Sequence, residues 1–293
     1  MLKDSPGAPP ADAAGPKVGR DAQPLRPPLK WAGGKRWLVP RLKPVWAHYN
    51  ASRLVEPFCG GLAIALGLQP GRALLGDINP HTINFYQQLQ RGLKIRVAMR
   101  NERELYLAHR EEFNRLIRAK RMLTGKAAGL FYYLNRTGFN GLCRFNRAGE
   151  FNVPFGQHTT INYVRDFARY RELLSTWQFE CASFDALEFS PDDFVYADPP
   201  YDVPFTSYAA GGFSWAQQEA LAARLATHQG PVIASNQATR RVLSLYKNAG
   251  FQCLTLPGPR SISRTGDRRP AKELLAYRNL GKRAATTLRR AVV

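Results

Sequence analysis

The stretch FVYADPPYDVPF, residues 194–205, concentrates more reactive chemistry than any other part of the chain. An apolar run, Phe194-Val195-Tyr196-Ala197, delivers Asp198 directly into Pro199, Pro200 and Tyr201. Asp before Pro often does no more than open a turn, because Pro cannot donate to a strand ladder. At the end of a buried strand, however, Asp198 and the carbonyl of Pro199 form a rigid pair of acceptors. Such a pair suits the two hydrogens of an exocyclic NH2 group on a flat ring, with the Tyr201 ring stacked on its face.

Two other segments have the chemistry to hold a partner for that ring. In EPFCGG, Gly60 and Gly61 let the backbone turn tightly and approach a ligand closely. One βα unit later, LLGDINP places Asp77 where an acid commonly grips ribose hydroxyls. The Gly-x-Gly-x-x-Gly fingerprint of a dinucleotide dehydrogenase is absent, so a nucleoside without the pyrophosphate fits better, S-adenosylmethionine being one. Upstream, PLKWAGGK sets Lys30, Trp31 and Lys35 beside flexible backbone, and Lys35 has the charge to neutralise a ligand carboxylate.

The elements that must position these residues alternate. RLVEPFCGG reads as a strand entering a glycine turn with the helix LAIALGL behind it, and RALLGDINP as a second strand. Residues 101–123 have helical periodicity, with Leu105, Phe113, Leu116 and Ile117 on one face. AAGLFYYLNRTG is a shorter helix stopped by Gly138. TWQFECASF, DDFVYADPP, PVIASN, FQCLTL and ELLAYR read as strands. Helices over SWAQQEALAARLATHQ, capped by Ser214, and over 240–249 separate the later ones. Alternating strands and helices imply an α/β fold: an open, mostly parallel sheet with helices on both faces and ligands beyond the strands' carboxyl ends. The glycine turn, Asp77, Asp185 and Asp198 all fall at such ends.

Composition narrows the partner. The 293 residues hold 42 Lys plus Arg against 22 acids, a net charge of +20, which points to a polyanion such as nucleic acid. The cations cluster, with eleven basic residues and four acids over 91–126 and ten basic and two acidic over 260–290. No window approaches the ~20 apolar residues of a membrane helix. The absence of an apolar signal core and of any Cys-x-x-Cys pair among Cys59, Cys143, Cys181 and Cys253 argues for a cytoplasmic protein without zinc or disulfides.

In this order, LKWAGGK, EPFCGG, DIN, YLNRTGFNGLCRFNRAGEFNVPFG, ADPPY, SN and RSIS before KELLAY, the chain resembles the Dam-type DNA adenine methyltransferases across about residues 28–280. The resemblance implies transfer of a methyl group from S-adenosyl-L-methionine to N6 of a flipped adenine in double-stranded DNA, with GATC the usual target and no metal. It implies a Rossmann-like methyltransferase sheet over 27–80 and 163–280, with an inserted, mainly helical target-recognition domain over 81–162. A disordered tail over 1–26 and a basic tail over 281–293 would flank them, in a monomer needing no protein partner. Asp198, Pro199, Pro200 and Tyr201 would form the catalytic motif. Trp31, Lys35, Glu56, Phe58, Gly60, Asp77, Ile78, Asp185 and Asp198 would hold the cofactor. Lys30 and Arg144 would read guanine edges, Leu142 and Pro154 would lie near the thymine methyl, and Phe139 and Asn140 would fill the gap left by the flipped base. Arg136, Arg147, His158 and the 91–126 cluster would meet phosphates.

Three positions depart from the family pattern: Leu62 stands where many relatives have a third glycine, Phe139 replaces a common tyrosine, and His158 replaces an aromatic. A DNA-binding regulator without catalysis, and a methyltransferase of cytosine N4 or RNA adenine, are the competing expectations.

Overall fold

The computed structural model describes residues 25–202, 212–259 and 271–292. The expected N-terminal tail up to residue 24, the RSIS motif at 260–263 and the end of the opening stretch, residues 203–205, lie outside the described residues.

Seven strands form one sheet: β1 (Leu54–Glu56), β2 (Ala73–Asp77), β3 (Trp177–Cys181), β4 (Phe194–Ala197), β5 (Val232–Gln237), β6 (Gln252–Gly258) and β7 (Ala271–Arg278), in the order β3-β2-β1-β4-β5-β7-β6. The first five in that order run parallel, and β7 is antiparallel to both β5 and β6. β1 and β4 are short and buried throughout, as expected of central strands covered on both faces. The chain leaves β1 towards β2 and β3 on one side, and β4 and β5 lie on the other. The crevice at this reversal, beyond the carboxyl ends of β1 and β4, is where such sheets bind ligands.

One face of the sheet carries α1 (Val39–Trp46), α2 (Ala63–Leu68) and α3 (Pro80–Gln90). The same apolar core continues into α4 (Arg103–Arg118), α5 (Gly125–Thr137) and α6 (Ala168–Leu174), where Phe85 stacks on Tyr132 with ring centroids 5.3 Å apart. The other face carries α7 (Trp215–Thr227) and α8 (Arg240–Asn248) over a second core. Local signals set the helix starts. Ser214 and Gln217 form a capping box on α7, the Thr124 hydroxyl accepts from the Ala127 N–H at α5, and Asn79 caps α3 ahead of Pro80.

The expected boundary at 80/81 cuts through the start of α3, which lies against β2 and β3. The insert between β2 and β3 is helical, but α4 and α5 share a core with the sheet and do not form a separately cored body. The segment expected as a basic tail over 281–293 differs more. It forms α9 (Lys282–Val292), with Ala284, Ala285 and Leu288 buried as the helix packs on α1 and β6. The edge pair β6–β7 needs cover on that face, and three small or apolar side chains at helical spacing supply it.

Candidate active site

Asp198 is the first polar residue after the buried strand β4, and its carboxylate is held from two sides. Lys35 Nζ lies 3.1 Å from Oδ2, and the Ser235 hydroxyl on β5 donates to Oδ1 at 2.8 Å. The buried hydroxyls of Tyr196 and Ser235 are 2.8 Å apart, extending the chain of hydrogen bonds into the sheet. Lys35 is only 4% exposed, donates to the Gly33 carbonyl at 2.7 Å and sits 4.6 Å from the centroid of the Tyr201 ring. The far end of Tyr201 donates its hydroxyl to Glu273 on β7. Burial pushes the Glu273 carboxyl up, against the opposing pull of the Lys35 charge. The Pro200 carbonyl accepts from Gln218 at 2.8 Å, and Gln218 in turn accepts from Asn236 at 3.1 Å. Asp198, Pro200 and Tyr201 are therefore pinned separately, as a rigid acceptor requires.

The glycine turn lies across the crevice. Gly60 has φ +42°, and a Cβ there would fall 2.5 Å from the Trp31 indole nitrogen, so only glycine fits beneath that ring. Asp77 ties the turn to β2: Oδ2 accepts the Gly60 N–H at 3.0 Å and Oδ1 the Asn79 N–H at 2.9 Å. Burial raises the Asp77 carboxyl to about 6 even though both hydrogen bonds oppose the shift. Leu62 adopts the left-handed conformation, φ +58°, with its side chain fully buried, so the backbone shape a glycine would give is retained under strain. Glu56, at the end of β1, is 3% exposed and its Oε1 has no partner among the described residues. Burial pushes it up to about 8.

Phe58 stacks on Phe184, with ring centroids 5.8 Å apart. Ile78, an apolar residue at the mouth of β2, is 67% exposed. Asp185 follows Phe184 in the turn after β3, where the Ser183 hydroxyl donates to it and holds its carboxyl below the usual range. This set fits a nucleoside cofactor. It offers an open apolar shelf at Ile78 and Phe58, a backbone turn cleared of side chains, and a buried Glu56 oxygen still lacking a donor. A carboxylate has about four acceptor positions, so Asp77 keeps roughly two beyond its backbone bonds.

The recognition block forms a loop closed by two bridges, Gly138–Phe155 and Phe145–Phe151. Beside the closing bridge Phe139 is 48% exposed and Asn140 left-handed and exposed, and the Phe139 N–H is held by the Pro154 carbonyl at 2.9 Å. Lys30 joins this block to the catalytic crevice. Its backbone exchanges two hydrogen bonds with the Asn135 amide, at 2.8 and 2.9 Å. Its ammonium donates to the Arg136 carbonyl at 2.9 Å and lies 3.3 Å from His158 Nε2. Burial, and then the Arg136 charge, lower the Lys30 pKa. Arg136 is half-buried, with Nη1 3.4 Å from the Pro28 carbonyl. Arg144 is exposed, its fork held against Asn152 at 2.9 and 3.1 Å, while Leu142 is half-buried and Pro154 exposed. The loop is also fastened to the end of β2, since Asn79 donates to the Cys143 sulfur at 3.3 Å and Phe145 stacks on buried His81 with centroids 4.8 Å apart. Four cations of the 91–126 cluster are paired with acids: Arg100 with Glu102, Arg115 with Glu112, Arg118 with Glu111 and Glu150, and Lys126 with Glu112.

Residues 31–261 match the sequence profile of the D12 class N6 adenine-specific DNA methyltransferases. The chain belongs to this family. It is 38% identical over 270 residues to a DNA adenine methylase of Vibrio cholerae, covering 85% of this chain and 94% of the relative. Against a DNA adenine methylase of Escherichia coli K12 the identity is 35% over 269 residues, covering 85% and 93%. Against the retron Ec67 DNA adenine methylase of Escherichia coli it is 34% over 263 residues, covering 85% and 90%. The protein is thus an adenine-specific DNA methyltransferase, which requires a methyl donor and a DNA substrate. No helix among the described residues is long and apolar enough to cross a membrane.

Sequence reasoning gave no role to Ser235, Gln218 or Glu273, although SN and KELLAY were part of the matched order. One signal was present, a glutamate opening the otherwise apolar strand ELLAY.

Proposed function

We propose that the methyltransferase uses S-adenosyl-L-methionine to methylate N6 of an adenine flipped out of duplex DNA, within GATC. The observation that carries this reading is the acceptor group at the end of β4: Asp198 fixed by Ser235 and Lys35, with the Tyr201 ring beside it, facing the glycine turn across the crevice. The adenine amine is a poor nucleophile because its lone pair is delocalised into the ring. Asp198 and the Pro199 carbonyl accept its two hydrogens and draw the nitrogen towards tetrahedral geometry, while Tyr201 stacks on the base. Positioning and electrostatics therefore supply most of the catalysis. The proton leaves only after methylation, when the amine has become acidic enough to lose it to Asp198 or water.

The cofactor would supply an electrophilic sulfonium methyl group and would be held by Trp31, Lys35, Glu56, Phe58, Gly60, Asp77, Ile78 and Asp185. The positions of Ile78 and Phe58 support an adenine-ring shelf, and Asp77 supports a grip on the ribose. On the DNA side, Lys30 and Arg144 read guanine through its O6 and N7, and Leu142 and Pro154 meet the thymine methyl. Phe139, exposed beside the bridge that closes the loop, enters the stack and offsets part of the few kcal/mol that flipping costs. Asn140 holds the gap, and Arg136, Arg147 and His158 lie along the phosphates. The enzyme works as a monomer in the cytoplasm.

Tritium transfer from labelled S-adenosylmethionine to unmethylated plasmid, followed by digestion with endonucleases sensitive to GATC methylation, tests the reading. Incorporation with GATC protected is expected. Incorporation with GATC unprotected would refute the assigned roles of Lys30, Leu142, Arg144 and Pro154, and no incorporation would refute the choice of methyl donor.

A further inference from the structure

Segments 25–55, 57–76 and 274–292 contain no acid at all. They supply α1, α2 and α9, with α1 and α9 packed against each other. Lys43, Lys282, Arg283, Arg289 and Arg290 are exposed there, and Arg41 is half-buried. None of them has an acidic partner among the described residues, whereas on α4 Arg115 and Arg118 are paired with glutamates.

The fold accounts for only part of this charge, as where Arg289 donates to Gln252 and Tyr277. Arg289 and Arg290 complement the dipole at the end of α9, but Lys282 and Arg283 occupy the first turn, where a helix disfavours cations. Concentrated like charge also costs self-repulsion. The position of the face is informative. The Gly281 N–H, just before α9, donates to Tyr49 at 2.8 Å, and the Tyr49 ring lies 5.3 Å from that of Phe194, the first residue of β4. Arg278, at the end of β7, pairs with Val232, the first residue of β5. The first turn of α9 therefore lies at the amino-terminal edge of the parallel strands, at the opposite end of the sheet from Asp198.

We propose that α9 and the outward side of α1 form a second, sequence-independent contact for duplex DNA, holding the phosphate backbone of a segment distant from the one whose adenine occupies the crevice. The inference rests on duplex DNA being the substrate. Its function is to keep the enzyme on long DNA between methylation events.

The test compares the parent with the triple variant Lys282→Ser, Arg283→Ser, Arg290→Ser, and separately with Lys43→Ser. The assay is binding and methylation of a short duplex that just spans the target and of a kilobase plasmid, across a range of salt. For the triple variant we expect plasmid affinity near physiological salt to fall at least about ten-fold, with the slope of log affinity against log salt reduced by about 0.9 for each phosphate that is no longer neutralised. Lys43→Ser should show a smaller shift in the same direction. Turnover and KM on the short duplex should not change. Unchanged plasmid affinity and slope in both variants would overturn the proposal. Equal losses on both lengths would overturn it too, by placing the face on the target duplex itself. A parent that methylates neither length would instead remove the duplex-DNA reading, and this proposal with it.

Discussion

Replacing Glu56 by Gln is expected to flatten the pH dependence of stability, and the size of the effect follows from the site. Glu56 is buried at the end of β1, with one oxygen lacking a partner, and burial lifts its carboxyl from 4.5 to about 8. In the unfolded chain the group ionises near 4.5, whereas in the fold it keeps its proton until about 8. A raised folded value means that the contribution of Glu56 to stability is fully present below pH 4.5 and is lost as pH rises towards 8. Each pH unit in that window costs about 1.4 kcal/mol. Between pH 5 and pH 7 the stability of Glu56→Gln relative to the parent should therefore increase by about 3 kcal/mol. The Gln amide brings one further donor to the same position, so the change with pH is the readout and not the gain at a single pH. Urea unfolding of both proteins at several pH values measures it directly. Parallel pH profiles for the two would refute the argument that Glu56 is held protonated by desolvation. If Glu56 also receives a donor from the cofactor, the same variant should bind S-adenosylmethionine more weakly while being the more stable protein.

Other variants separate strain, charge and packing. Leu62→Gly relieves left-handed strain of about 1–2 kcal/mol but removes a fully buried leucine, so thermal unfolding should show net destabilisation of about 2 kcal/mol. Lys35→Met leaves Asp198 without its cation, and should cost about 3 kcal/mol of stability by denaturant titration together with nearly all methyl transfer. Phe139→Ala, at a half-exposed position, should leave stability within about 0.5 kcal/mol of the parent. It should reduce the fluorescence of 2-aminopurine placed at the target position, which reports the flipped state.

The strand ends that frame the candidate site could be read from the sequence because their signals are local. An apolar run ending in Asp198-Pro199-Pro200-Tyr201, a glycine pair after one strand and Asp77 after the next mark three strand ends within a few residues each. Ser214 likewise marked the start of α7 by its capping chemistry. The supports of Asp198 and Tyr201 were not legible in the same way, because Ser235 and Glu273 reach them across the sheet, 37 and 72 positions away. Their roles exist only once β4, β5 and β7 are side by side. The helix α9 was hidden for a different reason. Two alanines and one leucine suffice to cover β6 and β7, and among so many cations they read as a tail. The charge of α4 was legible only in part, since Arg115 and Arg118 are paired by glutamates on their own helix and by Glu150, whereas Arg103 and Arg110 have no acidic partner among the described residues. Leu62 showed a departure from the family's glycine pattern but not its outcome, because whether a leucine accepts φ +58° depends on the pocket that surrounds it.

In the proposed mechanism Asp198, at the end of β4, activates an adenine amine. The most direct measurement is the content of N6-methyladenine in duplex DNA, by nucleoside digestion and mass spectrometry, after incubation with S-adenosylmethionine and either the parent or Asp198→Asn. The parent should accumulate N6-methyladenine and the variant should be slower by at least about a hundred-fold, while still binding the cofactor and the DNA. Comparable accumulation by Asp198→Asn would contradict the account.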